Sequence, residues 1–305
     1  MIFIKELYEP MKDRSFWILK QKFNQSYEME SRHYHNHYEL YYLLSGERNY
    51  FVKDRSYHIR SGDLILINKN DLHHTSNAND YHHEKIMIYF KEEYIKNLFN
   101  WEMMIDLFSV FNHKSNMIRL NIANQEIVEE LLLKLLAEYS DYQKVLKDHQ
   151  NNIVENELLK EASQRKLFHL KIMLTELLYK LKEIIKDESA DFMHSNPLHK
   201  TISDIAGYIN KNYQHEIRLN DLADEFSLNS CYLSSKFKEI TGFSLIEYLN
   251  LIRLKKAKEL LINSKLSITK ISEKVGFNTL SHFGRIFKQY NNLSASNYRK
   301  LNSKM

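Results

Sequence analysis

The stretch that most constrains this chain runs from Leu266 to Arg299, LSITKISEKVGFNTLSHFGRIFKQYNNLSASNYR. Ile268, Ile271 and Val275 fall at helical spacing, the pattern breaks at Gly276 and Phe277, and Phe283, Ile286, Phe287 and Tyr290 resume it. Two short amphipathic helices joined by a tight turn are expected, with Asn278 and Thr279 placed to cap the second. Ser281, His282, Gly284, Arg285 and Lys288 stay off the apolar stripe. A helix with a fixed core side and a small, polar, basic outer side suits a major groove. The pattern also occurs upstream: Leu219, Leu222, Ala223 and Phe226, a turn at Ser227 to Asn229, then Leu233 and Phe237 facing inward. SLIEYLNLIRLKKAKELLIN supplies a long helix between the two.

These residues resemble the signature of the AraC/XylS family of transcription regulators. Ile268, Ile271, Val275, Gly276, Phe277, Phe283, Arg285, Phe287, Lys288, Tyr298 and Arg299 match its second motif. Tyr232-Leu233, Phe237-Lys238 and Thr241-Gly242 match the first, and Tyr248, Arg253, Ala257, Leu260 and Leu261 the joining helix. The departures are Ser272 for Ala, His282 for Tyr, Asn292 for a turn Gly and Ala295 for Pro. The resemblance covers 199–300 and implies an all-α double helix-turn-helix domain that binds double-stranded promoter DNA. Candidate contacts are Ser230, Cys231, Ser234, Ser235 and Lys238 on the first reading helix, and Thr279, Ser281, His282, Arg285 and Lys288 at the second, where Leu280 also faces outward. Arg285 stands apart, because a forked donor paired with guanine is worth about 1–3 kcal/mol of discrimination, whereas serines read bases weakly. Its competing role is a phosphate contact that fixes position without specifying sequence.

The charge agrees with that division. The net charge is +4, but from Leu198 onward 17 Lys and Arg stand against 9 Asp and Glu, leaving 26 against 30 in the rest. A basic third attracts polyphosphate and an acidic remainder does not.

Residues 1 to about 90 read as β structure, in the runs SFWILKQKF, YELYYLL, RNYFVK, SYHIR, DLILIN and KIMIYF. Gly46, Asp54, Gly62 and the polar stretch Asn68 to Asp80 separate them, and strands this closely spaced suggest an antiparallel barrel or jelly roll. Within it, His33, His35, His37 and Glu39 alternate, which in a strand puts all four on one face. The spacing resembles the cupin family: His33, His35, Glu39 and Gly46 satisfy its first motif, and Gly62, His73 and Asn77 its second, with Asn68 and Asn70 replacing Pro and Gly. The resemblance implies a sensor barrel in front of the DNA-binding domain. In metal-binding cupins the counterparts of His33, His35, Glu39 and His73 ligate one divalent ion. Two further readings stand beside the metal one. His33, His35, Glu39, Tyr41 and His73 line a metal-free pocket for a small hydrogen-bonding effector, for which tyrosine, histidine and glutamate hint at a sugar; or they satisfy one another in a barrel that binds nothing. His37 has no motif counterpart, and His82 and His83 read as a solvated loop.

From Lys91 the period turns helical. YIKNLFNWEMMIDLF reads as one short helix, followed by longer ones at Asn124 to His149 and Asn156 to Asp187, the last with a seam at Leu167, Leu170, Leu174, Leu177, Leu181 and Ile184. In AraC-type proteins this region is where homodimers form. The expected organisation is an α+β multidomain chain: a cupin-like barrel over 1–90, a helical dimerisation region over 91–190, a linker over 191–198 carrying Pro197, and the DNA-binding domain over 199–305. No apolar run is long enough to cross a bilayer, the N-terminus lacks a signal peptide's apolar stretch, and the single cysteine, Cys231, suits a reducing compartment, so a cytoplasmic protein is expected. The function implied is an effector-responsive regulator, with RNA polymerase as a partner if it activates. The alternative is a metal-dependent cupin enzyme carrying a DNA-binding appendage, disfavoured because no separate acid, base or substrate-gripping motif is visible.

Overall fold

The computed structural model describes residues 15–25, 35–78, 82–98, 100–151, 157–187 and 197–302. The chain divides into two compact units, Met1–Tyr50 with Tyr57–Met193, and Phe51–Ser56 with His194–Met305.

The first unit is built on a sheet. Its strands are β1 (Phe16–Phe23), β2 (Tyr38–Val52), β3 (Arg55–Arg60), β4 (Asp63–Ile67), β5 (His73–Asn77), β6 (His83–Phe90) and β7 (Met117–Arg119). The order is β1-β6-β2-β4-β7, with β3 and β5 also pairing with β2. The pairings of β6 with β1 and β2, and of β4 with β2 and β7, are antiparallel.

Three features of the sheet differ from the sequence expectation. The runs YELYYLL and RNYFVK form one 15-residue strand, β2, rather than two. The chain passes through Gly46 at φ 87, next to a register shift between Leu43 and Ser45, so the glycine marks a bulge and not a turn. A Cβ at Gly46 would sit 2.2 Å from the His82 carbonyl oxygen. Second, the polar stretch read as a separator contains β5, HHTSN, whose strand character comes from pairing with β2 and not from its own composition. Third, the sheet extends past the barrel expected over 1–90, into the region read as helical, with the three-residue strand β7. Arg119 ties it to β4 by donating to both oxygens of buried Asp63, at 3.0 and 2.7 Å.

Register divides the sheet into two unlike faces. Tyr38, Leu40 and Tyr42 stand opposite Phe90, Ile88 and Ile86, with Phe16 and Ile18 of β1 on the same side. This apolar face packs on α1 (Trp101–Phe108), α2 (Ile122–Asn151) and α3 (Glu157–Asp187) in one core that takes in Val128, Leu132 and Leu135 with Leu170, Leu174, Leu177 and Leu181. The leucine seam is therefore spent inside the unit. The expected single helix before it is instead two 3-10 turns, Glu92–Tyr94 and Lys96–Leu98, and then α1. The side chain of Asn100 accepts from the Met103 N–H at 2.9 Å, capping a new helix where periodicity alone saw a continuous one.

The second unit is helical: α4 (Pro197–Asn212), α5 (Leu219–Glu225), α6 (Ser230–Thr241), α7 (Leu245–Asn263), α8 (Ile268–Lys274), α9 (Leu280–Asn291) and α10 (Ala295–Asn302). Pro197, read as a linker residue, opens α4, the helix position where a missing N–H costs nothing; 191–196 lie outside the described residues. Ser244 and Glu247 cap each other at the start of α7. In the pair α8–α9, Leu254, Ala257 and Leu261 of α7 enclose Ile271, Val275, Phe277, Phe283 and Phe287. Arg253 donates to the carbonyls of Tyr213 and His215, and Arg299 to those of Leu261 and Leu266, so both of these family-matching arginines hold loops together.

The turn between α8 and α9 depends on Gly276, at φ 90, where a Cβ would lie 2.7 Å from the carbonyl oxygens of both Tyr213 and Gln214. Gly276→Ala is expected to destabilise the chain by about 1–2 kcal/mol or more, from left-handed strain plus the clash. Urea unfolding followed by circular dichroism measures this, and an unchanged midpoint would contradict the close approach.

Candidate effector site and nucleic-acid interface

The sheet face turned away from the helical layer is polar. Glu39 and Tyr41 lie on it, opposite Tyr89 and Met87 of β6. Beyond the bulge Gly46 pairs with His83, so Arg48 and Tyr50 join the face that the odd-numbered residues occupied before it. Glu39 and His73 are 0% exposed. The Nε2 of His35 lies 3.0 Å from the Glu39 Oε2, that of His73 lies 3.4 Å from the same atom, and the Tyr50 hydroxyl donates to Oε1 at 3.3 Å.

The opposite nitrogens decide what this cluster can do. The Nδ1 of His35 faces the His37 carbonyl at 3.1 Å, and that of His73 faces the Asp71 carbonyl at 2.9 Å. A carbonyl only accepts, so each Nδ1 carries the proton, and each Nε2 turns a lone pair toward the carboxylate unless it is doubly protonated. Burial lowers the pKa of His73 against the opposing pull of Glu39, which disfavours the doubly protonated ring. For a neutral His73 the lone pair faces a carboxylate oxygen, a repulsive pairing, while the His35 Nε2 lies at hydrogen-bond distance from the same atom. A cation among His35, Glu39 and His73, whose ligand atoms lie within 4.8 Å of one another, resolves this, and so does a ligand hydroxyl donating to them. The donor set thus fits a divalent ion and also fits a hydroxylated effector.

Tyr41 is fully buried, its ring edge-on to Tyr50 at 5.1 Å. His33 lies outside the described residues. His37 precedes β2, which begins at Tyr38, so strand alternation does not bring it into the cluster; it contributes its carbonyl and an edge contact to the His35 ring. His83, read as loop, is the first residue of β6 and is buried, stacked on Phe23 at 4.7 Å. Arg48 and Lys85, no more than 2% exposed, were not foreseen. Arg48 donates to Thr75 and Asn77 of β5, and the Lys85 ammonium lies over the rings of Phe23 and Tyr41.

In the second unit the two reading helices repeat position by position. Each has twelve residues. Asn229 caps α6 by accepting from the N–H groups of Cys231 and Tyr232, and Thr279 caps α9 by accepting from that of His282. Gly242 and Asn292 end them in the left-handed conformation. Leu233 and Phe237 occupy the buried positions that Phe283 and Phe287 take. On the outer faces Cys231, Ser234, Ser235 and Lys238 answer to Ser281, Gly284, Arg285 and Lys288, all exposed. Ser230 is half-buried and donates to Asn220, Thr279 has its hydroxyl engaged as the cap, and His282 lies half-buried with its ring edge against Phe277. Lys238, Arg285 and Lys288 make no ion pair among the described residues.

A family model described as an AraC-like ligand binding domain matches residues 23–137, and one described as a helix-turn-helix domain matches residues 222–301. The chain belongs to the AraC/XylS family of transcription regulators. This AraC-type chain is 33% identical over 132 residues to the Msm operon regulatory protein of Streptococcus mutans, a match covering 42% of this chain and 48% of that one, about half its length. It is 27% identical over 273 residues to the HTH-type transcriptional activator RhaR of Shigella dysenteriae, covering 90% of this chain and 88% of that one. A crystal structure of ToxT from Vibrio cholerae aligns with 95% of this chain and 99% of its own at 17% identity and a TM-score of 0.36, too loose a superposition to inform either site. The matched domains and these named relatives are regulatory rather than enzymatic.

Burial lowers Lys85 to about 7, helped by Arg48 and opposed by Glu39. An unfolded lysine titrates near 10.4, so from about pH 7 to pH 10 the unfolded state holds a proton that the folded state has released, and stability rises with pH across that window. Lys85→Met is expected to stabilise the chain by about 1–3 kcal/mol at pH 7, with the gain shrinking toward pH 10. Urea titrations at the two pH values test this, and a gain that grew with pH would contradict it.

Proposed function

We propose that this chain regulates transcription in response to a small polar effector held on the interior face of its first unit, while its second unit binds double-stranded promoter DNA. The observation that carries the reading is Glu39: a fully buried carboxylate met by His35, His73 and Tyr50, inside the region matched by a ligand-binding domain. A buried charge is retained at a cost, and a site for hydroxyls or an ion gives it a use. His35, Glu39, Tyr41 and His73 are the proposed lining, with His33 as a further member, and a sugar is the class of effector that fits. If a divalent ion is resident, His35, Glu39 and His73 hold it, and it supplies a positive centre for an effector oxygen.

DNA contacts are assigned to Cys231, Ser234, Ser235 and Lys238 on α6 and to Ser281, Arg285 and Lys288 on α9, with Ser230, Thr279 and His282 at the edge of the surface. Arg285 is the proposed base reader. Exposure of Phe168, Ile172 and Tyr179 on α3 supports a homodimer through the helical layer. RNA polymerase is a partner if the chain activates. Among the described residues no helix is long and apolar enough to cross a membrane. A place in the cytoplasm, with the DNA, belongs to the same proposal.

Fluorescence anisotropy of the full chain on promoter DNA, titrated with a panel of monosaccharides and sugar acids, tests the coupling. One compound should change DNA affinity by about fivefold or more. The double variant His35→Ala, His73→Ala should lose that response and keep the effector-free affinity. An undiminished response in the double variant would remove the cluster from the mechanism.

A further inference from the structure

The outer faces of the two reading helices differ in composition as well as in charge. Leu280, Gly284, Lys288, Ser281 and Arg285, in that order, span the outer arc of α9 with Leu280 and Arg285 at its edges, and the same positions on α6 are Ser230, Ser234, Lys238, Cys231 and Ser235. Only the lysine is common. Two features of α9 have no explanation within the protein. Leu280, the first residue of the helix, is 45% exposed beside a polar and basic surface. Gly284, in the helix interior, has nothing within 4 Å of where a Cβ would stand, and it is not among the glycines of positive φ. Neither packing nor backbone conformation requires glycine there, and glycine weakens a helix interior.

Both features acquire a reason if the face meets a major groove. The one apolar group on the edges of the bases is the 5-methyl of thymine, and an aliphatic side chain is the complement to it. A missing side chain at Gly284 lets the groove edge come close to the helix backbone, between the two side chains that reach outward on either side. We propose that Leu280 reads the 5-methyl group of a thymine, and that Gly284 leaves the room that lets Leu280 and Arg285 reach the bases together. The inference rests on the DNA-binding reading of α9. Its geometry fixes a spacing. Five residues of α-helix advance about 7.5 Å, roughly two base-pair steps, so the thymine lies about two base pairs from the guanine that Arg285 reads.

The test begins with the full chain and a pool of random duplexes, from which bound sequences are selected. Each thymine of the selected site is then replaced singly by deoxyuridine, which removes the methyl and nothing else. One replacement should weaken the wild-type chain about fourfold, the effect of losing one buried methyl. Leu280→Ala, a change at an exposed position, should bind the thymine site about as weakly as the wild type binds the deoxyuridine site, and should be indifferent to the replacement. Gly284→Ala should raise the thermal midpoint while lowering affinity about tenfold or more. If the wild-type chain selects a site but no deoxyuridine replacement matters, or if Leu280→Ala keeps the full sensitivity, thymine reading is wrong while DNA binding stands; a leucine serving a protein partner would give that result. If no sequence is selected, the DNA-binding reading itself fails, and this inference with it.

Discussion

The first unit depends on the parity of β2. Tyr38, Leu40 and Tyr42 send their side chains to the helical layer, and Glu39 and Tyr41 send theirs to the other side. A slip of one residue would exchange the sets, driving Glu39 into the core of phenylalanines and leucines, away from His35, His73 and Tyr50, and turning three large apolar groups onto the polar cluster. Burying an isolated carboxylate without its partners costs several kcal/mol, and that term opposes the slip. The bulge by Gly46 then turns parity to use, because it brings Arg48 and Tyr50 round to the face of Glu39. The polar cluster and the apolar layer are two consequences of one register.

The second unit depends on a repeated solution to helix ends. Asn229 and Thr279 satisfy N–H groups at the starts of α6 and α9, Gly242 and Asn292 release the chain at their ends, and the intervening buried residues fix which side faces out. Basic charge on this unit is not all available to a polyanion. Arg253 and Arg299 spend their donors on loop carbonyls, while Arg285 and Lys288 project from the surface. A count of cations therefore overstates the electrostatic footprint, and the exposed cations of the reading helices define it better.

How much of this was legible follows from where the information lies. The second unit was readable nearly residue by residue, since its pattern is local: periodicity, a cap and a left-handed turn residue all sit within about fifteen positions of one another. The first unit was readable where strands alternate cleanly, as at Glu39 and Tyr41. It was not readable where a strand takes its identity from its neighbours. HHTSN has no strand signature of its own, MIR is too short to carry one, and the side of the sheet that Arg48 and Tyr50 occupy is set by a bulge that alternation cannot reveal. Lys85 likewise sits on β6 among residues whose facing depends on pairing with β2. His83 looked like loop because two histidines follow a polar stretch, and only the ring of Phe23, reached through β1–β6 pairing, shows why it is buried.

The central claim is that one chain carries two readers joined by one helix, so that a single protomer recognises two short segments. Hydroxyl-radical footprinting of the full chain on a selected site tests it most directly. Two protected backbone segments, flanking successive major grooves, should appear on one side of the duplex, about one helical turn or 34–36 Å apart, with substitutions in the segment read by α9 weakening binding more than those in the segment read by α6. A single protected segment, or protection that moves indifferently along any sequence, would contradict the account.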